Sequence, residues 1–322
     1  MNGPDVSIII VSWNTREILS NCLRSVYENA GAVRFHVMVI DNASTDGSAE
    51  MVREAFGGVQ LLVNTQNRGF AAANNQGMAV APGRYVLLLN SDTIVLDGAI
   101  EKAVAFADAH PEAAVVGCRV LNSDRTLQRT CFRFPSLLNM LLSSTYLYKL
   151  WPRSKLLGRE QMTWWNRDDV REVDVVTGCF MLVRRAALLE VGLMDEAFFM
   201  YGEETDWCYR FRQAGWKILF APCGEIIHLG GASAARAANE MTLQLKAGIL
   251  QFMHKHGSRL TYVAACGLMG LFLAARIPYW LLRTVLARGQ RRLAWSRVRV
   301  YALGVRRVFG GWKGLRAGLR VC

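Results

Sequence analysis

No aspartate or glutamate occurs in the last 82 residues of this 322-residue chain. Residues 241–322 hold 15 lysines and arginines, whereas residues 1–240 hold 23 bases against 26 acids. The overall charge of +12 therefore belongs to a tail, and the body is close to neutral. Any function has to account for both parts. Cysteine motifs are lacking too. The eight cysteines, at 22, 118, 131, 179, 208, 223, 266 and 322, form no C-x-x-C pair and no tight framework. Several sit in apolar runs, which reads as buried free thiols in a reducing compartment. The start, MNGPDVSIIIVS, has no basic segment, and its apolar run is short for a secretion signal. The expectation is a chain whose bulk stays in the cytoplasm. No G-x-G-x-x-G follows the first apolar run and no G-x-x-x-x-G-K-[ST] is present, which excludes a dinucleotide fingerprint and a phosphate loop.

What is present is an alternation of periods. Apolar runs at 6–13, 35–41, 59–64 and 84–90 read as strands. Between them, 15–29 and 48–56 have helical spacing, with Thr15 a candidate N-cap, and 69–81 reads as a helix of small residues. Strands alternating with helices over about 90 residues predict a doubly wound, mostly parallel α/β sheet with helices on both faces. Ligands of such sheets bind beyond the carboxyl ends of the strands. The first strand ends in Ser12, Trp13 and Asn14, the second in DNASTDGS from Asp41, and the fourth in Asn90, Ser91 and Asp92. Any one of these could be an ordinary turn or helix cap. Three on one rim point to a binding site. If a nucleotide binds without a phosphate loop, a divalent cation on a hard oxygen ligand can offset its diphosphate, and Asp92 is placed for that.

Six stretches, VSIIIVSWN, VIDNASTDGS, NRGFAAANNQG, LLLNSDT, GCFMLVRRAALLEVGLMDEAFFMYGEETDWCYRFRQAGW and IIHLGG, occur in that order over residues 5–232. Together they resemble the family 2 glycosyltransferases of the GT-A fold, close to the rhamnosyltransferase-like members. The resemblance implies a nucleotide-diphosphate sugar donor, a divalent metal (Mg²⁺ or Mn²⁺) and an inverting transfer. It implies donor-binding roles for Ser12, Asn14, Asp41, Asn67, Arg68, Asn90 and Ser91, with Asp41 at the nucleobase. Asn90-Ser91-Asp92 stands where the family carries Asp-x-Asp, so metal binding rests on Asp92, joined by His228. The general base aligns with Glu204, a position where aspartate is commoner.

Periodicity bears on that base. In 198–216, read as a loop entering a helix, Trp207, Cys208, Phe211 and Ala214 form an apolar stripe. Glu204 lies on the stripe, and Glu203 and Asp206 lie off it as secondary candidates. Glu204 is therefore expected to be the shielded acid and Glu203 the more exposed one. Acids in a first helical turn also favour the helix dipole with no further role. Residues 173–185 read as a strand in which Gly178 allows a close backbone approach, and 224–231 as a short strand ending in His228.

Residues 134–167 mix leucine, methionine, aromatics and bases, and fit either a helical excursion packed on the core or an acceptor-side segment near lipid. Residues 260–282 are long enough to span a bilayer but are interrupted by Arg276 and Pro278. Beyond them, Val298, Tyr301, Val305, Val308, Trp312, Leu315 and Leu319 follow an amphipathic helical period, among glycines that disfavour one continuous helix. A basic amphipathic stretch of this kind suits an anionic membrane surface.

The expected organisation is a donor-binding half (1–118), an acceptor-binding and catalytic half (119–257) and a basic helical tail (258–322). The expected protein is a cytoplasmic, metal-dependent inverting glycosyltransferase, peripheral on the inner face of the cell membrane. It would carry a sugar, rhamnose from dTDP-rhamnose being the favoured donor, to a cell-envelope glycan or lipid-linked acceptor. No nucleic acid is expected as a partner. The rivals are a nucleotidyltransferase on a similar sheet and a non-catalytic protein whose tail binds nucleic acid.

Overall fold

Ile8, Ile9 and Ile10 are all fully buried, so the first strand is covered on both faces, as its unbroken apolar run requires. The structure, a computed structural model, describes residues 3–145, 147–230, 238–286, 289 and 291–317. Its strands are β1 (Val6–Ser12), β2 (Phe35–Asp41), β3 (Gln60–Val63), β4 (Tyr85–Asn90), β5 (Thr93–Val95), β6 (Ala113–Leu121), β7 (Cys131–Phe132), β8 (Arg171–Glu172), β9 (Val175–Val176), β10 (Phe180–Arg184) and β11 (Lys217–His228). The main sheet has the order β3-β2-β1-β4-β10-β6-β11-β5, with β8 beside β11. The pairs β1–β2, β1–β4, β2–β3 and β6–β11 are parallel, and β10 is inserted antiparallel between β4 and β6. Helices Arg16–Asn29, Ser48–Ala55 and Gly69–Val80 connect the parallel strands. The sequence-read segments of the first 90 residues agree with these elements to within a residue or two.

Two departures matter. The single strand expected over 173–185 is broken into β9 and β10 by the turn at Gly178 and Cys179. The short strand expected at 224–231 is the end of the longer β11, whose register shifts between Phe220 and Glu225. Both departures position the site. β10 pairs Phe180 with Leu89, and the Asn90 N–H donates to the Cys179 carbonyl at 3.2 Å, so Gly178 and Cys179 lie at the carboxyl end of β4. β5 pairs His228 with Thr93, which brings His228 beside Asp92.

The chain divides into two units: Met1–Phe134 with Trp165–Phe199 and Glu203–Ser233, and Pro135–Trp164 with Met200–Gly202 and Ala234–Cys322. The segment expected in the catalytic half thus groups with the tail. Charge follows the same division, with 18 bases and 24 acids in the first unit and 20 bases and two acids in the second. The second unit is helical, with helices Leu137–Ser144, Leu147–Leu150, Ala238–His256, Arg259–Ala274, Arg276–Leu286, Arg291–Arg307 and Gly311–Arg316. The amphipathic stripe does not face outward as expected. Val298, Tyr301, Val308 and Leu315 are buried, Val305 and Trp312 are half-buried, and Leu319 lies outside the described residues. The helices pack on one another instead. A Cβ at Gly304 would sit 2.9 Å from Leu243 and 3.0 Å from Leu273, so this glycine permits close helix packing. Of the eight cysteines, five are buried, Cys223 and Cys266 are half-buried, and Cys322 lies outside the described residues.

Candidate active site

The ends of β1, β2 and β4 meet through side chains. Ser12 Oγ lies 2.9 Å from Thr15 Oγ1, which donates to Ser91 Oγ at 3.2 Å. Thr15 is the N-cap of helix Arg16–Asn29 by position, as expected, but its hydroxyl is committed to the two strand ends and makes no cap bond. Asn14, at φ 53, holds the loop after β2: its N–H donates to Ser44 Oγ at 2.9 Å, and its Oδ1 accepts from the Thr45 N–H at 2.8 Å.

Asp41 is 1% exposed. Its Oδ2 accepts from the Ser44 N–H at 3.0 Å, and its buried Oδ1 has no hydrogen-bond partner among the described residues. A buried carboxylate oxygen without a donor is costly, and a ligand N–H would satisfy it. Asn67 and Arg68 belong to a network centred on Asn42. Asn42 Nδ2 donates to Asn67 Oδ1 at 2.8 Å, and Asn42 Oδ1 accepts from the Arg68 N–H at 3.0 Å. The Arg68 guanidinium lies 3.7 Å from Glu196.

At the end of β4, His228 Nε2 lies 3.1 Å from Asp92 Oδ1 and 3.2 Å from Asn90 Nδ2. On the far side of the ring, Nδ1 faces Gln128 Oε1 at 2.6 Å. Asp92 and His228 offer one carboxylate oxygen and one imidazole nitrogen, a pairing that suits Mn²⁺ or a similar divalent ion. Their separation of 3.1 Å matches two neighbouring ligands at metal bonds of about 2.1 Å. Among the described residues no third histidine, cysteine or acid joins them. The remaining positions would fall to water and substrate phosphate, as is usual for such ions. The residues present fit the metal on these terms.

Glu204 opens helix Glu203–Gln213. Its Oε1 accepts from the Gly178 N–H at 3.1 Å. Burial pushes its carboxyl above the ordinary range, partly offset by that backbone bond and by its own. Asp92 and Glu204 both act on the Cys179 thiol, which burial, more than either acid, pushes up to about 12. Glu204 touches the backbone of Gly178, and the neighbouring Cys179 carbonyl accepts from the Asn90 N–H, so this acid too lies at the end of β4.

The exposure of the three acids departs from the periodicity argument. Glu203 is 2% exposed, Asp206 fully buried and Glu204 half-buried. Trp207, Cys208 and Phe211 of the stripe are buried as expected, whereas Ala214 at its end is exposed, and Glu203 and Asp206 on the other side are covered too. Arg210 donates to Asp206 at 2.9 Å and to the carbonyls of Val191 and Leu193, so that face is sealed by polar contacts. An apolar pattern cannot reveal burial of that kind. What singles out Glu204 is its position against Gly178, not its depth. Thr15, Asn42 and Gln128 were missed. Thr15 carried only a cap signal, and Gln128 lies 100 residues from His228 in sequence, so it had no local signal at all.

A mostly parallel sheet with one antiparallel insertion, and an acid–histidine pair and a second carboxylate beyond its strand ends, define a GT-A-type transferase. Residues 7–192 match the family described as glycosyl transferase family 2. The chain belongs to that family and is a glycosyltransferase. It is 28% identical over 211 residues to an N-acetylglucosaminyl-diphospho-decaprenol L-rhamnosyltransferase of Mycobacterium tuberculosis, covering 62% of this chain and 68% of that one. It is 24% identical over 232 residues to the O-antigen biosynthesis protein RfbC of Myxococcus xanthus, covering 71% of this chain and 18% of that one. In fold it is similar to the mannosyltransferase PcManGT of Pyrobaculum calidifontis, solved with GDP-Man and Mn²⁺. That likeness has a TM-score of 0.56 at 17% identity, covering 94% of this chain and 86% of that one.

Proposed function

We propose that this chain is an inverting, metal-dependent glycosyltransferase. It transfers a hexosyl group, rhamnose from dTDP-rhamnose being the reading we favour, to a cell-envelope glycan or lipid-linked acceptor. The observation that carries this reading is the placement of the Asp92–His228 pair and of Glu204, through Gly178 and Cys179, at the end of β4. The similarity to the mycobacterial rhamnosyltransferase supports the choice of sugar and of acceptor class.

In this reading Asp41 Oδ1 accepts an N–H of the donor's base, and the chain's Asn14 and Ser12 hold the loop and strand end around it. Glu204 takes the proton of the acceptor hydroxyl. The hydroxyl oxygen forms a bond to the anomeric carbon as the bond from that carbon to the diphosphate breaks. The diphosphate leaves with the electron pair from the opposite face, and the configuration inverts. Asp92 and His228 would hold a divalent ion there, and that ion would supply charge neutralisation to the leaving diphosphate. The oxygen of Glu204 bonded to Gly178 fixes the carboxylate, and the other is left to face the acceptor.

The second unit supports a peripheral place on an anionic, cytoplasmic membrane face. It carries 20 bases against two acids, and Leu260, Leu271, Leu286 and Phe309 are each more than two-thirds exposed. Its segment Arg259–Leu286 is long and apolar enough to cross a membrane by length and composition alone. The buried Arg276 within it argues for the peripheral reading.

The test is incubation with a panel of nucleotide sugars. Release of a nucleoside diphosphate, lost in excess chelator and in Asp92→Ala, is expected, greatest with dTDP-rhamnose. Release of pyrophosphate from a nucleoside triphosphate, or full turnover in chelator, overturns the reading. Flotation with phosphatidylglycerol vesicles but not with neutral ones checks the membrane component.

A further inference from the structure

The hairpin that follows β6 ends in Gln128 and reaches back toward its own start. The Asn122 N–H donates to the Thr126 carbonyl at 2.8 Å, and the Gln128 N–H to the Val120 carbonyl at 2.9 Å. β11 runs parallel to β6, with Ile227 opposite Leu121, so the hairpin lies beside His228. Its side chains form a single directed chain of hydrogen bonds.

The direction is set at the outer end. Asp124 is a carboxylate whose carboxyl is held below its ordinary range by the Thr126 hydroxyl and N–H, so it only accepts. Thr126 Oγ1 donates to Asp124 Oδ1 at 2.6 Å, and its oxygen then accepts from Asn122 Nδ2 at 2.9 Å. That fixes the Asn122 amide, whose Oδ1 accepts from Gln128 Nε2 at 2.8 Å. Gln128 Nε2 also reaches the His228 carbonyl at 3.3 Å. Both of its contacts are acceptors, so the Gln128 amide cannot be reversed without placing oxygen against oxygen twice. Its Oε1 therefore faces His228 Nδ1, 2.6 Å away, and can only accept there.

We propose that Gln128 is a positioning residue that holds the Nδ1–H tautomer of His228. It thereby leaves Nε2 unprotonated, so that its lone pair, which accepts from the Asn90 amide, would be available to a divalent ion shared with Asp92. This inference rests on the metal reading above and goes beyond it by assigning a residue, and a relay starting at Asp124, that controls the histidine. The geometry of Nε2 agrees: with Nδ1–H committed to Gln128, Nε2 faces Asp92 Oδ1 at 3.1 Å and accepts from Asn90 Nδ2 at 3.2 Å. A neutral imidazole with its lone pair toward a carboxylate oxygen at that distance is held there only by a cation between the two, either a proton or a metal ion. Partners of this kind on metal-bound histidines typically alter metal affinity by 10–100-fold when removed.

The experiment uses full-length protein and two readouts that do not depend on turnover. Nitrogen-15 NMR of the imidazoles in metal-free protein, well above the ordinary histidine pKa of about 6.5, reports the tautomer of His228. Calorimetric titration with Mn²⁺ alone reports affinity. The wild type is expected to show Nδ1–H at His228. Gln128→Leu is expected to lose that preference and bind Mn²⁺ ~10-fold or more weakly. Gln128→Glu keeps an acceptor at Nδ1 and is expected to retain the tautomer, at a cost in stability because its second oxygen replaces the amide that donates to Asn122 and to the His228 carbonyl. An Nε2–H tautomer in the wild type, or unchanged Mn²⁺ affinity in a folded Gln128→Leu, overturns the proposal while leaving the metal site standing. Wild-type protein that shows the Nδ1–H tautomer but binds no Mn²⁺ overturns the metal reading, and the role of Gln128 toward a metal falls with it.

Discussion

The backbone N–H of Gly178 donates to Glu204 Oε1 at 3.1 Å, and a Cβ at Gly178 would meet that same oxygen at 3.1 Å and Phe70 Cζ at 2.8 Å. The break between β9 and β10 thus brings bare backbone against the candidate base. Gly178→Ala should push Glu204 and Phe70 aside while leaving the sheet and the Asp92 pair intact. A displaced base costs up to ~100-fold in rate for shifts of about 1 Å. The expectation is a kcat lowered ~10- to 100-fold with donor affinity near wild type, measured by initial rates and by calorimetry with the nucleoside diphosphate. A fully active Gly178→Ala enzyme would remove Gly178 from the account of the base.

The three acids of helix Glu203–Gln213 should separate by phenotype. Glu204→Gln should retain donor binding and thermal stability and lose ~100-fold or more of its transfer rate, the scale for a general base. Asp206 is fully buried and paired with Arg210, whose guanidinium also holds two carbonyls. Asp206→Asn should therefore act on folding and lower stability by about 2–4 kcal/mol, read from urea unfolding. Glu203, nearly as deep, belongs with Asp206, so Glu203→Gln should lower the melting temperature more than it lowers kcat in the protein that remains folded. A dead but stable Glu203→Gln variant would transfer the role of base to Glu203.

That grouping differs from the one periodicity suggested, and the reason is physical. Hydrophobic periodicity reports faces buried against apolar partners. It read β1, β2, β4 and the stripe of Trp207, Cys208 and Phe211 correctly because those faces are apolar on both sides. It missed the Asp206 face because Arg210 and two carbonyls cover it. It placed the tail stripe of Val298, Tyr301 and Val308 toward lipid, yet those residues are buried among helices, since a pattern does not say which apolar partner a face finds. Strand-end residues were legible because the fold puts ligands at carboxyl ends. Gln128 was not, because its meeting with His228 depends on the parallel pairing of β6 with β11.

The acid limb of catalysis should report Glu204. Burial raises its carboxyl above the ordinary value of 4.5, and only the ionised form accepts a proton. In a pH series, kcat/KM should therefore fall on acidification at a higher pH than an ordinary carboxylate would impose. For stability the sign is opposite. The folded state binds this proton more tightly, so the Glu204 contribution is present at low pH and is lost as pH rises from 4.5 through the raised value. The Glu204→Gln variant should lack both effects. An acid limb that persists unchanged in its residual activity would assign the titration to another group.

In the second unit, Lys246 and Glu160 are both half-buried and interact electrostatically. Burial lowers Lys246 from 10.5 to about 8, with Glu160 opposing and Arg276 adding to the shift. Over the interval from about 8 to 10.5 the unfolded chain holds the Lys246 proton more strongly than the folded one. Stability should accordingly rise with pH across that interval. Glu160 is raised by burial, so its contribution is lost as pH rises from 4.5, well below that window. Melting curves of wild type and Lys246→Met should therefore converge as pH rises from about 8 to 10.5, the wild type gaining on the variant. Parallel curves would mean that Lys246 stays charged and hydrated.

The basic tail should not be removable. Helix Arg259–Ala274 buries Ala265, Met269 and Leu273, and it packs against helix Leu137–Ser144, more than 100 residues earlier in sequence. Leu243, Ala247 and Leu250 of helix Ala238–His256 are at most 1% exposed, and Gly304 lies against Leu243 and Leu273. Ending the chain after Gly257 removes these covers at once. Each large apolar side chain bared in this way costs about 1.5–3 kcal/mol, and several together exceed the margin of an ordinary domain. The truncated protein should aggregate or require detergent, with melting of the remaining helices broadened or absent by far-ultraviolet circular dichroism. Replacing exposed Leu260, Leu271 and Phe309 by serine in the full chain should instead preserve the melting temperature and weaken flotation with phosphatidylglycerol vesicles. Should the truncated protein prove monomeric, cooperatively folded and active in donor hydrolysis, the helices after Gly257 would be an appendage and the packing described for the second unit would carry little stability.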